Sequence, residues 1–434
     1  MASSLLIRGG RIIDPSQQID FKGNLLLAEG KVAWLGNDIP PAIDYAVLEA
    51  DGLIVCAGFV DIHCHLRQPG YEDKETIATG TRAAARGGFT TLCCMPNTNP
   101  PLDNEDTLNY VRTIAAREGL VRVFPIGCVT LGRKGEELVD MNELELAGAV
   151  AYSDDGSNVS NPDILRRALE YSRDFNRTII DHCENEFMTQ EGQMNEGVVA
   201  LELGLRGIPA AAEELIVKRD IDLVRETGGH IHIAHVSTAG SVDLIRQAKE
   251  EGLLVTAEVT PHHLTLTEEA VLGYNTNAKV NPPLRTKRDT RALLTGLNDG
   301  VIDIIATDHA PHTRADKDCD FKEAAFGISG LETALGSLGT LVFKSDLSLN
   351  NLIEVLTFGP ARVIGYEKLG TLEIDAPADI CIFDLHQEWV VNPDEFVSKG
   401  KNTPLAGQKL RGKVMATFAQ GWPVYKDDAL KIES

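Results

Sequence analysis

The 434-residue chain is poor in positive charge, with 41 Lys and Arg against 64 Asp and Glu and a formal net charge of −23. Nucleic acids and anionic membrane surfaces are bound by clustered Lys and Arg, so this deficit argues against both kinds of partner. Apolar runs are also short, and none approaches the roughly 18–20 residues of a membrane-spanning helix. The start of the chain has neither a basic segment nor an adequate apolar run, so we expect no signal peptide and a cytoplasmic protein.

Two common motifs are missing as well. None of the eight cysteines forms a C-x-x-C pair, and most lie in apolar runs, so we expect buried, reduced thiols that pack as small apolar side chains. A Gly-rich phosphate-binding turn does not follow the first strand of the central region, which argues against a doubly wound dinucleotide-binding sheet.

The centre of the chain alternates short β-like runs with helix-like segments. Eight such strands over about 250–300 residues predict a (β/α)₈ barrel of the TIM type, which we assign to residues 58–365. Short strands at both ends predict a small β-sandwich domain built from residues 1–57 and 366–434. A polar, charged segment at residues 312–330 predicts a loop after the eighth strand. The predicted barrel strands are Phe59–Leu66, Phe89–Pro96, Val123–Thr130, Ala149–Ser153, Thr178–His182, His230–Val236, Leu253–Thr260 and Val301–Thr307.

Histidines and aspartates stand where several of these strands end. Each alone has an ordinary explanation, because strand-end aspartates often cap turns and buried histidines often belong to the core. A barrel, however, brings its strand ends to one mouth, and imidazoles with carboxylates are typical ligands of Zn²⁺, Mn²⁺ or Co²⁺. The sequence therefore predicts a metal site at that mouth. The candidates are His63 and His65 (strand one), Asp154 and Asp155 (four), His182 (five), His235 (six) and Asp308 (eight).

Seven segments resemble, in order, those of the cyclic amidohydrolase family and, within it, the long type I dihydroorotases of bacteria. With the split β domain, the resemblance covers essentially the whole chain. The segments are Gly58–Gly70 (GFVDIHCHLRQPG), Met95–Pro100 (MPNTNP), Asp181–Glu184 (DHCE), His235–Thr238 (HVST), Thr260–His263 (TPHH), Lys279–Arg285 (KVNPPLR) and Ala306–His312 (ATDHAPH).

The resemblance implies a metal-hydrolase barrel that binds one or two Zn²⁺ per subunit. It assigns His63, His65, His182, His235 and Asp308 to the metal. Many relatives bridge two metals with a carboxylated lysine after strand four, but residues 148–157 contain no lysine. Asp155 stands in that place, with Asp154 as the second candidate, as in a known type I variation.

The same resemblance implies an enzyme of pyrimidine biosynthesis that interconverts L-dihydroorotate and N-carbamoyl-L-aspartate. A metal-bound hydroxide would open the cyclic amide, with Asp308 as general base and then general acid. Arg67 lies two residues after His65, on the mouth side, and suits a bidentate contact with a carboxylate. By resemblance, Asn97, Asn281 and His312 also contact the substrate. Without the resemblance, Asn97 would be interpreted as a turn residue and His312 as a surface loop residue.

Two alternative functions have to be weighed against a dihydroorotase-like activity. The chain could be another cyclic amidohydrolase, such as an allantoinase or a dihydropyrimidinase, but HLRQPG, MPNTNP and the missing lysine argue against this. It could also be a catalytically silent structural subunit, but such proteins typically lose metal ligands, and here all four histidines and Asp308 are present. The resemblance further implies a homodimer and, for some relatives, association with aspartate carbamoyltransferase.

Overall fold

The structure is a computed structural model that describes residues 4–40 and 44–433. Strands and helices are numbered in chain order. The strands are β1 (Ser4–Asp14), β2 (Ile19–Ala28), β3 (Lys31–Gly36), β4 (Ala46–Glu49), β5 (Ile54–Ala57), β6 (Phe59–Cys64), β7 (Phe89–Cys94), β8 (Arg122–Pro125), β9 (Tyr152–Ser153), β10 (Ile179–Asp181), β11 (Met194–Asn195), β12 (Gly207–Ile208), β13 (Ile231–Ile233), β14 (Val255–Val259), β15 (Ile304–Ile305), β16 (Ile380–Val390), β17 (Lys409–Ala419), β18 (Trp422–Lys426) and β19 (Ile432–Glu433).

The helices lie mainly between the barrel strands, and many of them begin at capping residues. Thr76 caps α1 and Thr286 caps α10, each in a reciprocal capping box that satisfies free N–H groups of the first turn. The helices are α1 (Ile77–Arg86), α2 (Glu105–Glu118), α3 (Met141–Leu146), α4 (Pro162–Asp174), α5 (Glu186–Thr189), α6 (Val198–Leu203), α7 (Ala211–Thr227), α8 (Ala239–Glu250), α9 (Pro261–Thr265), α10 (Lys287–Asn298), α11 (Arg314–Lys317), α12 (Ala334–Phe343), α13 (Leu349–Leu356) and α14 (Phe358–Val363).

Eight parallel strands form the barrel. β6, β7 and β8 make one part, and β9, β10, β13, β14 and β15 make the other. Single bridges between Gly127 and Tyr152, and between Cys64 and His309, join the two parts on both sides. Every residue of β6 and β7 is buried, as expected for parallel strands that are covered on both faces.

Both ends of the chain contribute to one nine-stranded sheet. Its main path runs β18-β17-β16-β5-β1-β2-β3, while β4 pairs with β1 and β19 pairs with β4. β5 and β16 are neighbours although more than 300 residues separate them in sequence. β5 ends at Ala57, and the first barrel strand begins at Phe59, on the other side of Gly58.

The predicted fold class, a TIM-like barrel with a β-sandwich domain from both termini, is confirmed, and each of the eight predicted barrel strands has a counterpart. The exact domain division at residues 57/58 and 365/366 stays a prediction. The segment 312–330 follows β15 as expected and contains the short helix α11. All eight cysteines are free; seven are buried and Cys319 is exposed. No helix in the described residues is long and apolar enough to cross a membrane.

Candidate metal centre and substrate pocket

The barrel brings the strand-end histidines and aspartates together in a buried cluster. The ligand atoms of His63, Asp155 and His235 lie within 4.8 Å of one another, and so do those of His63, His65 and Asp308. His182 belongs to the same cluster, because its Nδ1 lies 2.9 Å from Nε2 of His235. The cluster therefore combines four imidazoles and two carboxylates from the ends of five barrel strands.

Hydrogen bonds on the outer side of three histidines fix their tautomers. Each outer nitrogen faces an oxygen that can only accept, so it carries the proton and leaves the lone pair of the other nitrogen directed to the cluster. This is the arrangement in which metal-ligating histidines are usually held. The outer contacts are His63 Nδ1 to Glu258 Oε1 (2.5 Å), His65 Nδ1 to Asn97 Oδ1 (2.9 Å) and His182 Nε2 to Glu184 Oε2 (2.8 Å).

Asp155 lies at the centre of the cluster. Its Oδ1 is 3.4 Å from Nε2 of His63 and 3.7 Å from ring nitrogens of both His182 and His235. Its Oδ2 is 3.6 Å from Nε2 of His65. Asp155 Oδ1 and His63 Nε2 are buried without a hydrogen-bond partner. A cation between these atoms would satisfy both, so the donor set fits a metal ion.

The electrostatics of the cluster also favour a cation. Burial would raise the pKa values of Asp155 and Asp308, but the surrounding imidazoles hold both below the usual range, so both carboxyls are ionised. Burial would lower the pKa of His182, but the carboxylates of Asp155 and Glu184 raise it to about 10. The neighbouring carboxylates thus favour positive charge at the inner nitrogen of His182, which a divalent cation would bring in place of a proton.

Three residues of the site have left-handed backbones. Arg67, His235 and Asp308 have φ angles of 62°, 32° and 44°. Such angles are uncommon for residues other than glycine, and they persist where the surrounding structure enforces them, often at active sites. Here they occur at strand ends, where the chain must turn each side chain towards the mouth.

Arg67 and His312 lie side by side near the cluster. The Arg67 side chain donates to the carbonyl of Pro311 (3.3 Å), and its Nη2 lies 3.4 Å from Nε2 of His312. In the described part of the chain, no carboxylate lies within 4.0 Å of this guanidinium. Burial and the nearby cations, Arg67 first, lower the pKa of His312 to about 3, so its ring is neutral. The unpaired guanidinium suits an anionic ligand.

Comparison with known proteins agrees with this geometry. Residues 52–241 match a family model described as Dihydro-orotase-like. The dihydroorotase of Pelotomaculum thermopropionicum is 50% identical over 428 residues, covering 98% of this chain and 100% of the relative. That of Thermoanaerobacter sp. (strain X514) is 48% identical over 425 residues, 98% of both chains. The chain belongs to the dihydroorotase family.

The fold of this chain is also similar to solved structures of a hydantoinase and a dihydropyrimidinase. The L-hydantoinase (dihydropyrimidinase) of Arthrobacter aurescens has a TM-score of 0.89 and 26% identity, covering 100% of this chain and 98% of that one. The dihydropyrimidinase of Brevibacillus agri NCHU1002 has a TM-score of 0.84 and 22% identity, covering 98% and 95%. At this identity the second match concerns the fold alone.

The remaining candidates lie around the same mouth. Asn97 accepts from Nδ1 of His65 on the outer side of that ring, as described above. Asn281 donates from Nδ2 to Glu184 Oε2 (2.6 Å). Asp154 is directed away from the cluster, since its Oδ1 accepts the backbone N–H groups of Val129 (2.9 Å) and Thr130 (3.1 Å).

Sequence reasoning assigned no role to two carboxylates of the site. Glu258 is fully buried, and its Oε1 faces Nδ1 of His63 and accepts the backbone N–H of His235 (3.1 Å). Glu184 orients His182 in the same way. A signal existed for Glu258, because it is an acidic residue inside the apolar run of β14. Glu184 follows His182 by two residues, a spacing that carries no specific meaning alone.

Proposed function

We propose that this chain is a dihydroorotase, which reversibly hydrolyses the cyclic amide of L-dihydroorotate to N-carbamoyl-L-aspartate. The observation that carries the proposal is the buried His–Asp cluster beside Arg67, whose guanidinium has no carboxylate within 4.0 Å among the described residues. A ring substrate that bears a carboxylate can place that group on the arginine and its amide at the cluster. The full-length identity of 48–50% to dihydroorotases supports the same substrate.

We assign the metal to the cluster residues and propose Zn²⁺, one or two per subunit, as the ion. Imidazole nitrogens and carboxylate oxygens in a buried set are ligands that Zn²⁺ prefers. When bound, such a cation supplies Lewis acidity that polarises the scissile carbonyl and lowers the pKa of a water. The assigned ligands are His63, His65, Asp155, His182, His235 and Asp308.

Asp308 is assigned the proton transfer. Its Oδ1 lies 3.0 Å from Nε2 of His65, and its carboxyl is ionised, so it can accept the proton of the attacking water. The same carboxyl then passes that proton to the ring nitrogen that leaves, and it acts in the opposite order when the ring closes.

Arg67, Asn97, Asn281 and His312 are assigned to the substrate. Arg67 offers two parallel N–H groups to the substrate carboxylate, a geometry that lysine cannot provide. The neutral His312 and the two amides offer hydrogen bonds without adding charge. By resemblance, we further propose a cytoplasmic homodimer and name aspartate carbamoyltransferase as the partner to test by co-purification.

The decisive experiment compares dihydroorotate, allantoin and dihydrouracil as substrates of the purified protein, with its metal quantified in parallel. We expect turnover of dihydroorotate alone. In the Arg67→Met variant, loss of a bidentate charged contact should lower kcat/KM for dihydroorotate by roughly 100-fold, with an unchanged thermal midpoint. Preferential turnover of allantoin or dihydrouracil, or equal dihydroorotate turnover by the variant, would assign the site to a substrate without a carboxylate.

A further inference from the structure

Asn402 lies outside the barrel, between β16 and β17, yet its side chain is buried against the loop that follows β15. Its Oδ1 accepts the backbone N–H of His312 (3.0 Å) and the hydroxyl of Ser329 (2.9 Å). Its Nδ2 donates to the carbonyls of Ala310 and Gly327, both at 3.0 Å. The amide thus uses both hydrogens and two acceptor positions, and the residue is only 4% exposed.

These four bonds join the two arms of one loop. Ala310 and His312 belong to the arm that leaves β15, while Gly327 and Ser329 belong to the arm that returns. A backbone bond from Ser329 N–H to the carbonyl of Asn402 (2.8 Å) adds a fifth connection. Asn402 therefore closes the base of the loop at residues 310–329.

The His312 ring depends on the separation of these two arms. Its backbone is on the outgoing arm, but its Nε2 donates to the carbonyl of Phe326 on the returning arm (2.8 Å). Space beside the ring is tight, since a Cβ added at Gly327 would lie 3.0 Å from Cδ2 of His312. If the arms moved apart, the ring would lose its acceptor and its position beside Arg67.

Other polar residues of the same segment bind elsewhere. Ser398 donates to the carboxylate of Glu75, at the N-terminus of α1. Lys401 donates to carbonyls of its own segment at Phe396 and Ser398. Asn392 caps a local turn by accepting the N–H of Asp394 and is exposed. Among these residues, Asn402 is the one whose side chain reaches the backbone of His312.

We propose that Asn402 is a positioning residue for substrate binding, which holds His312 in place from the C-terminal part of the chain. This inference rests on the proposed function, in which His312 contacts the substrate. It makes the segment between β16 and β17 part of the active-site architecture, so the terminal domain contributes to the barrel site. The residue acts through His312 and does not itself contact the reacting atoms.

The test measures steady-state kinetics of the metal-loaded Asn402→Ala variant with dihydroorotate. We expect KM to rise by about 10-fold with a smaller change in kcat, because a displaced His312 weakens binding more than it affects the proton transfer at Asp308. Ser329→Ala removes one bond to the same amide and should raise KM in the same direction by less. Asn392→Ala is the matched control and should leave both constants unchanged.

A double-mutant cycle separates positioning from general stability. In a His312→Asn background, Asn402→Ala should change KM by less than about 2-fold, because the two losses share one cause. Additive losses, or an unchanged KM in Asn402→Ala, would overturn the inference. If Asn402→Ala does not fold, the cycle of Ser329→Ala with His312→Asn decides by the same criterion. Failure of the unmodified protein to turn over dihydroorotate counts instead against the proposed function.

Discussion

At the scale of single residues, two adjacent aspartates after β9 face in opposite directions. Asp155 lies among the imidazoles, whereas Asp154 accepts the backbone N–H groups of Val129 and Thr130. We predict that Asp155→Ala loses most of the bound metal. Asp154→Ala should keep the metal but lower the free energy of unfolding by about 1–3 kcal/mol, since it leaves the backbone N–H groups of Val129 and Thr130 and the Thr130 hydroxyl without their acceptor.

Metal-to-protein ratios after dialysis, together with urea unfolding of the metal-free forms, check this pair of variants. Each is the control for the other, because both remove one carboxylate from the same turn. If Asp155→Ala retained the metal and Asp154→Ala lost it, Asp154 would be the metal ligand and Asp155 the structural residue.

Some residues of the site could be predicted from the sequence, and others could not. His63, His65, His182, His235 and Asp308 could be predicted because each ends a strand, and a barrel brings strand ends together. Asn402 could not, because its contact with His312 spans 90 residues and joins two predicted domains. Its role depends on backbone groups, which leave no pattern in the sequence.

At the scale of elements, the barrel strands could be predicted from the sequence, whereas parts of the terminal sheet could not. Buried parallel strands are continuous apolar runs between helices, so their alternation could be read from the sequence. β4, β5, β18 and β19 carry no such pattern. They contain two to five residues each, too few for periodicity, and β5 is specified by its partners β1 and β16 from distant parts of the chain.

The barrel element β13 allows a prediction of pH dependence. His230, just before it, is largely buried, and its Nε2 lies 2.9 Å from the hydroxyl of Thr256. Burial, with a smaller contribution from His232, lowers the pKa of His230 from 6.5 to about 4. Between these values the unfolded chain binds more protons than the folded one, so stability falls as the pH falls.

We therefore predict that His230→Asn has a smaller loss of stability between pH 6.5 and pH 4 than the unmodified protein. The difference should be on the order of 3 kcal/mol, from a shift of about 2.5 pKa units. Urea unfolding at several pH values measures it, and His386→Asn, at an exposed position on β16, is the control. Parallel pH profiles of His230→Asn and the unmodified protein would contradict the prediction.

At the scale of the whole molecule, the barrel mouth combines the candidate catalytic residues with local positive charge. The chain has a net charge of −23, so an anionic substrate approaches against the general field of the protein. Arg67 and the proposed metal supply local positive charge at the place where that substrate would bind. The segment between β16 and β17 contacts the loop after β15 through Asn402, so both parts of the chain contribute to the proposed site.

One hydrophobic cluster contains residues of both parts, which predicts that they unfold together. Phe383 on β16 is fully buried, and its ring lies 6.2 Å from that of Phe59 on β6, which in turn lies 5.5 Å from Phe89 on β7. Phe383→Ala should lower the free energy of unfolding by about 3–5 kcal/mol through the cavity it creates. Because the cavity lies between sheet and barrel, the variant should still unfold in a single transition, at a lower temperature.

Scanning calorimetry combined with a dye that reports metal release measures both properties in one temperature ramp. Metal release should coincide with the single transition in Phe383→Ala and in the unmodified protein. Val390→Ala, at a 57% exposed position of the same strand, is the control and should change the midpoint little. Two separate transitions, with metal retained after the first, would mean that the terminal sheet unfolds independently and that the barrel is stable without it.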